Sequence, residues 1–189
     1  CCRPPHTGPP QETDATMTMI IEALRLLLIL ALIGLILWAM AEDIRDLMIP
    51  NRISLALVVL FLPWAGLTMT LSEAGLRLSI AAITFALTYL FWLAGKFGGG
   101  DVKFLSSLML WVPPIALPFF LLVLSIVSLC LAIGLLSLRG RARRISDDIL
   151  VKKPWGLRRA YEMARVSACP YAVPIGCAGL AVLPALFAH

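Results

Sequence analysis

Long apolar runs separated by short polar breaks organise this chain, and most of the runs are as long as a bilayer crossing. Residues 19–41, 53–70, 78–95, 118–138 and 167–188 carry almost no charge, and a membrane-crossing helix needs about 20 mostly apolar residues. A further run, 102–112, is shorter than that. It closes on Pro113-Pro114 and is expected to tilt, lean on its neighbours or extend into 115–117. The pattern predicts an all-α, polytopic membrane protein of about six transmembrane helices. Residues 1–16 are polar and proline-rich and read as a disordered N-terminal extension. They lack the basic-then-apolar order of a cleaved signal peptide. The remainder, 17–189, is expected to form a single transmembrane domain.

Composition strengthens this reading. The chain is 60% hydrophobic with mean hydropathy +0.92, against roughly 45–50% apolar residues in soluble domains. Charge then orients it. Of the 16 Lys and Arg residues, nine fall between Arg139 and Arg165; Arg45 and Arg52 follow the first run, and Lys96 and Lys103 follow the third. Arg3, Arg25 and Arg77 are left for the other side. Cationic loops stay in the cytoplasm, so both termini are expected outside it. The basic loop 138–166 reads as cytoplasmic and membrane-associated, attracted by anionic headgroups. Asp147, Asp148 and Glu162 give it mixed charge and Trp155-Gly156-Leu157 suits an interfacial anchor. No nucleic-acid motif appears, and none is expected as a partner. The five cysteines contain no C-x-x-C pair and read as apolar fillers and terminal thiols, so no structural zinc site is expected.

Two aspartates at the ends of apolar runs carry the candidate chemistry. A carboxylate at the margin of hydrocarbon costs several kcal/mol unless it is paired, hydrated or neutralised, which makes such an acid a functional-site hypothesis. Asp43 ends the first run, seven residues before the turn Ile49-Pro50-Asn51. Pro50 disfavours helix at Ile49, and Asn51 suits the cap of the next helix. Asp101 follows Gly98-Gly99-Gly100 and precedes Val102-Lys103. That glycine string permits close approach of another chain, such as an extended peptide, or serves as a hinge. Two acids of this kind can share one proton and activate water.

Asp43 with Ile49-Pro50-Asn51, then Gly98-Gly99-Gly100-Asp101-Val102-Lys103, resembles the bacterial type IV prepilin peptidases, membrane aspartyl proteases with a Gly-x-Gly-Asp motif. Pro170-Tyr171-Ala172-Val173-Pro174-Ile175, with Gly176 and Gly179, is similar to the segment that opens that family's last span. Ala172 replaces a usual glycine and Pro174 is an added proline, changes expected to alter local packing and not catalysis. Within the family the chain looks most like the short form of tight-adherence (Flp) pili. The resemblance implies Asp43 and Asp101 as catalytic acids, no metal and no cofactor. It implies prepilin or pseudopilin substrates, the bacterial inner membrane as location, and a link to pilus assembly machinery. Pro50, Asn51, Gly98, Gly99, Gly100, Lys103, Pro170 and Tyr171 would shape the backbone or meet substrate. Lys103 would tune Asp101, meet substrate or anchor the cytoplasmic face. Asp46 also precedes the Ile-Pro-Asn turn, but at four residues instead of seven, and is expected to pair with Arg45 or Arg52 or to orient substrate. Glu42 reads as a solvated neighbour. The longer relatives' cysteine-bearing domain has no counterpart here, so cleavage without N-methylation is expected. The competing expectations are a preflagellin-type or presenilin-like protease, a proton-coupled transporter using the acids as a relay, and a non-catalytic scaffold.

Overall fold

The computed structural model describes residues 11–95, 97–142, 154–166 and 170–186, and these are helical with no strand. The helices are α1 (Gln11–Asp46), α2 (Asn51–Thr68), α3 (Leu71–Leu93), α4 (Gly99–Met109), α5 (Leu117–Ala142), α6 (Trp155–Val166) and α7 (Ala172–Val182). Short 3-10 turns at Pro114–Ala116 and Leu183–Leu186 complete the described elements. The chain is an all-α polytopic membrane protein. Four segments are long and apolar enough to cross a bilayer: Ala15–Asp46, Asn51–Thr68, Leu71–Leu93 and Pro114–Arg139.

Local chemistry explains the boundaries. Leu47 takes a left-handed backbone, φ 54°, as α1 ends, and its amide donates to the Asp43 carbonyl at 3.0 Å. A leucine in that region costs on the order of 1 kcal/mol, offset by closing the last turn. Pro50, at φ −67° and ψ 138°, precedes α2. Thr70 accepts from the Glu73 amide while Glu73 accepts from the Thr70 amide, a capping box that starts α3. Pro63 sits inside α2, a tolerated placement where neighbouring helices resatisfy the backbone.

One expectation changes here. Helix α1 begins at Gln11, inside the segment read as coil; residues 1–10 lie outside the described part. The run 102–112 leans on its neighbours, one of the outcomes expected of its short length. Its helix has 11 residues, about 16 Å, and apart from Lys103 every residue from Asp101 to Val112 is buried. Helices α2, α3 and α7 pack around it. It still carries the chain through the bundle. It starts where Gly99 abuts Trp92 and ends where Arg77 donates to the Trp111 carbonyl at 3.2 Å. Those two contacts on α3 are about 22 Å apart along the helix. Lipid contact is unnecessary for a segment walled by other helices, so its sequence needs no full apolar span.

One layer of the core forms around α4. Phe61 meets Trp111 edge-on and Trp64 lies tilted against it, each with centroids 5.8 Å apart. The Trp111 indole donates to the Leu57 carbonyl at 3.1 Å. Gly179 lets α7 approach α4, because a Cβ there would lie 2.8 Å from Leu108; Gly176 does the same for α7 against Met40 of α1. Close helix approach through small residues is how membrane helices gain packing. Arg25, Arg77, Pro113 and Leu186 line a cavity of about 490 Å³ at the end of the bundle opposite Asp43 and Asp101. The described chain therefore starts and finishes toward the same end. Of the basic loop 138–166, α5 continues through to Ala142 and α6 packs on α5 with Trp155 exposed; 143–153 lie outside the described residues.

Candidate active site

Three stretches far apart in sequence meet at one end of the bundle. The last turn of α1 contributes Asp43, the start of α4 contributes Asp101, and the start of α7, after Pro170-Tyr171, contributes the Ala172 amide. Asp43 is buried, and its Oδ2 accepts from the Ala172 amide at 2.8 Å. A side chain on α1 is thereby fixed by backbone 129 residues away. Pro170 is buried beside this contact, and the Tyr171 ring packs on Phe97 with centroids 5.3 Å apart. That ring contact ties the entry of α7 to the residue just before the glycine string.

Asp101 is the third residue of α4 and is also buried. It lies outside the long apolar helices. Burial, then the charge of Asp43, push its carboxyl up from 3.8 to about 7, while a hydrogen bond from the Gly98 backbone acts in the opposite direction. The influence of Asp43 on this value puts the acids within electrostatic reach of each other. A carboxylate pair in that position resists double ionisation and titrates as a unit. Among the described residues, Asp101 Oδ1 is buried with no hydrogen-bond partner.

The glycines have separate duties. A Cβ on Gly98 would sit 2.6 Å from Asp101 Oδ2. On Gly100 it would lie 3.2 Å from the Ile49 Cβ and 3.3 Å from the Ile49 nitrogen. The Gly100 contact is the close approach that joins the Ile49-Pro50-Asn51 turn to the start of α4. On Gly99 a Cβ would lie 3.3 Å from the Trp92 indole nitrogen. None of these needs a left-handed backbone; the requirement is for space.

Asn51 corrects a sequence expectation. It does not cap α2: the cap position is Pro50, no side chain bonds there, and Asn51 is the first helical residue. Its Oδ1 instead accepts from Lys103 Nζ at 3.0 Å. A residue suited to capping is used here to hold α2 against α4. Asp46 is exposed at the last position of α1 and stays outside the buried pair. Glu42 accepts from the Trp38 indole at 2.8 Å, so it has a partner on its own helix. Of the cysteines, Cys130 and Cys177 are free and the others lie outside the described residues.

Ala172 is the contributor that sequence reasoning missed. It was read as a departure from a glycine, yet its amide is what the site uses, and a backbone donor is indifferent to the side chain it carries. The available signal was the preceding proline and the helix start, which leave the first amides of α7 without partners inside the helix.

A family model described as the type IV leader peptidase family matches residues 29–133, more than half of the 189 residues. The match runs from within α1 into α5 and includes both acids; the Pro170-Tyr171 segment lies beyond it. No curated protein and no solved structure matches the chain.

Proposed function

The chain belongs to the type IV leader peptidase family, and on that premise we propose that it is an aspartic endopeptidase of the bacterial inner membrane. Its substrates are prepilins of the tight-adherence (Flp) class. It removes their short basic leader at the cytoplasmic face, without methylating the new terminus. The observation that supports the reading is that Asp43 and Asp101 are both buried, the first accepting from the Ala172 amide and the second from the Gly98 backbone, with the charge of the first acting on the second.

The chemistry follows from the pair. Asp43 is ionised and takes a proton from a water held between the acids. Asp101 is protonated and donates to the scissile carbonyl oxygen as the water oxygen bonds to the carbonyl carbon. The proton on Asp43 then passes to the amine as the C–N bond breaks, and Asp101 recovers its own when the carbonyl reforms. Neither acid can perform both roles at once, which is why two are present. In the sequence, thirteen of the sixteen Lys and Arg residues follow the first, third and fifth apolar runs, which supports a cytoplasmic site.

The test is cleavage of a tight-adherence prepilin by the full chain in liposomes, read as a mobility shift of the pilin. Proton flux through the same liposomes without cleavage would instead favour a relay. The pH profile adds a second readout. Asp101 must hold its proton, and its pKa is about 7, so kcat/KM is expected to fall by about one decade per pH unit above that value. A profile flat to pH 9 contradicts the assignment of Asp101 as the acid.

A further inference from the structure

Distant segments converge at the end of the bundle away from Asp43 and Asp101, around a cavity of about 490 Å³. Helix α1 brings Arg25 to it, α2 brings Trp64, α3 brings Arg77, and Pro113 and Leu186 close the remaining sides. A guanidinium removed from water is costly unless its N–H groups are met. Arg77 is only 7% exposed, and among the described residues its one hydrogen bond runs from Nη1 to the Trp111 carbonyl at 3.2 Å. A guanidinium has five N–H donors, so most of that capacity is left for the cavity.

Arg25 is similarly under-used. Its Nη1 pairs with Glu22 at 2.8 Å and its Nη2 reaches the Leu67 carbonyl at 3.4 Å, while Nε is buried without a partner among the described residues. Trp64 is 3% exposed, and its indole N–H is likewise buried without a partner among them. Both orphaned atoms on this cavity are donors, and a buried donor left unmet costs the full desolvation of the group. Two acids share the wall, but both are engaged. Glu22 holds Arg25, and Glu73 Oε2 accepts from the Thr70 amide and hydroxyl at 2.8 and 3.0 Å.

Such donors call for an acceptor, and two guanidinium groups specify its kind. Their planar forks match the oxygens of an anion such as phosphate, whereas water would meet the indole N–H but bring no charge. Each arginine immediately precedes an apolar run, 26–41 and 78–95, so the cavity stands at the margin of hydrocarbon, where phospholipids carry their phosphates. Leu26, Leu76 and Ile115 also line it and are exposed, a rim suited to acyl chains. We infer that this cavity binds a phosphate group through Arg25, Arg77 and the Trp64 indole, carried on a phospholipid headgroup or free in the aqueous phase. The site lies at the opposite end of the bundle from the acids, so it stands whether or not the chain is a protease.

The test is thermal unfolding of the full chain in detergent at constant ionic strength. The chain is titrated with inorganic phosphate, with phosphatidylglycerol, or with diacylglycerol, which has acyl chains but no phosphate. The expected result is a Tm that climbs with phosphate or phosphatidylglycerol and stays level with diacylglycerol. Arg25→Gln and Trp64→Phe should each weaken the apparent affinity on the order of tenfold, the worth of one hydrogen bond to a charged group. Trp64→Phe removes the N–H and keeps a ring against Trp111, so one variant stays informative if the other disturbs folding. Arg52→Gln, exposed at the opposite end, controls for binding to the basic surface there and should leave the affinity unchanged. A variant-sensitive response to inorganic phosphate shows a site open to the free anion, and one to phosphatidylglycerol alone shows a headgroup site; both uphold the inference. No response to either, an equal response to diacylglycerol, affinities unchanged in Arg25→Gln and Trp64→Phe, or an equal loss in Arg52→Gln overturns it.

Discussion

Asp43→Asn and Asp101→Asn are each expected to lower kcat/KM by roughly 10⁴-fold or more, the scale seen when one member of a concerted catalytic group is removed. Asparagine preserves shape and the acceptor oxygen, so the Ala172 and Gly98 contacts survive; what is lost is the ability to exchange a proton. Asp46→Asn, at an exposed position, should retain most activity. Stability should move the other way from activity. The folded-state pKa of Asp101 lies above its ordinary 3.8, at about 7, so between these values the folded chain holds a proton that the unfolded chain releases. The stability this contributes is complete below about pH 4 and lost as pH rises through about 7. Asp101→Asn does not titrate. Its Tm in detergent should therefore equal or exceed the wild-type Tm at pH 8, and lose that advantage at pH 5. Normal cleavage by either single variant, measured on prepilin with matched membrane protein levels, removes the dyad from the mechanism.

The second large effect is expected at a residue with no side chain. Gly98→Ala places a methyl group 2.6 Å from Asp101 Oδ2, and the backbone there, φ −74° and ψ 139°, suits any residue, so the conflict is steric alone. Either the carboxylate turns away or the start of α4 shifts. A displacement of about 1 Å in a reacting group costs on the order of 10²-fold in rate. The expected outcome is a loss of that size in kcat, with the chain still inserted and abundant. Gly99→Ala should be milder, since its Cβ would meet Trp92 at 3.3 Å. Gly134→Ala, with nothing within 4 Å, should be silent. Equal activity for Gly98→Ala and Gly134→Ala would show that Asp101 has more freedom than its packing suggests.

Much of this was legible in the sequence, for reasons that differ by element. Helices α1, α2, α3 and α5 announce themselves because lipid-exposed helices must be apolar all round. The Gly98-Gly99-Gly100 string and the Ile49-Pro50-Asn51 turn were visible as separate oddities. Their contact was not, because residue types do not state which loop a missing Cβ makes room for. The length of the 102–112 run pointed to a segment leaning on its neighbours, but not to its full enclosure, because a helix enclosed by protein and one facing lipid share the same apolar alphabet. The start of α1 was missed because Gln11, Glu12, Thr13 and Asp14 look like coil by polarity, although a helix leaving the bilayer can continue in polar residues. Asn51 shows the limit of propensity: its suitability as a cap was real, and a lysine on another helix uses it instead.

The bond from the Ala172 amide to Asp43 also sets an order of events during biosynthesis. Asp43 and Asp101 are both made well before residue 172, yet the support for the first of them arrives only when α7 enters the bundle. On the protease reading, a chain still being translated is expected to stay inactive until α7 docks and its Ala172 amide reaches Asp43.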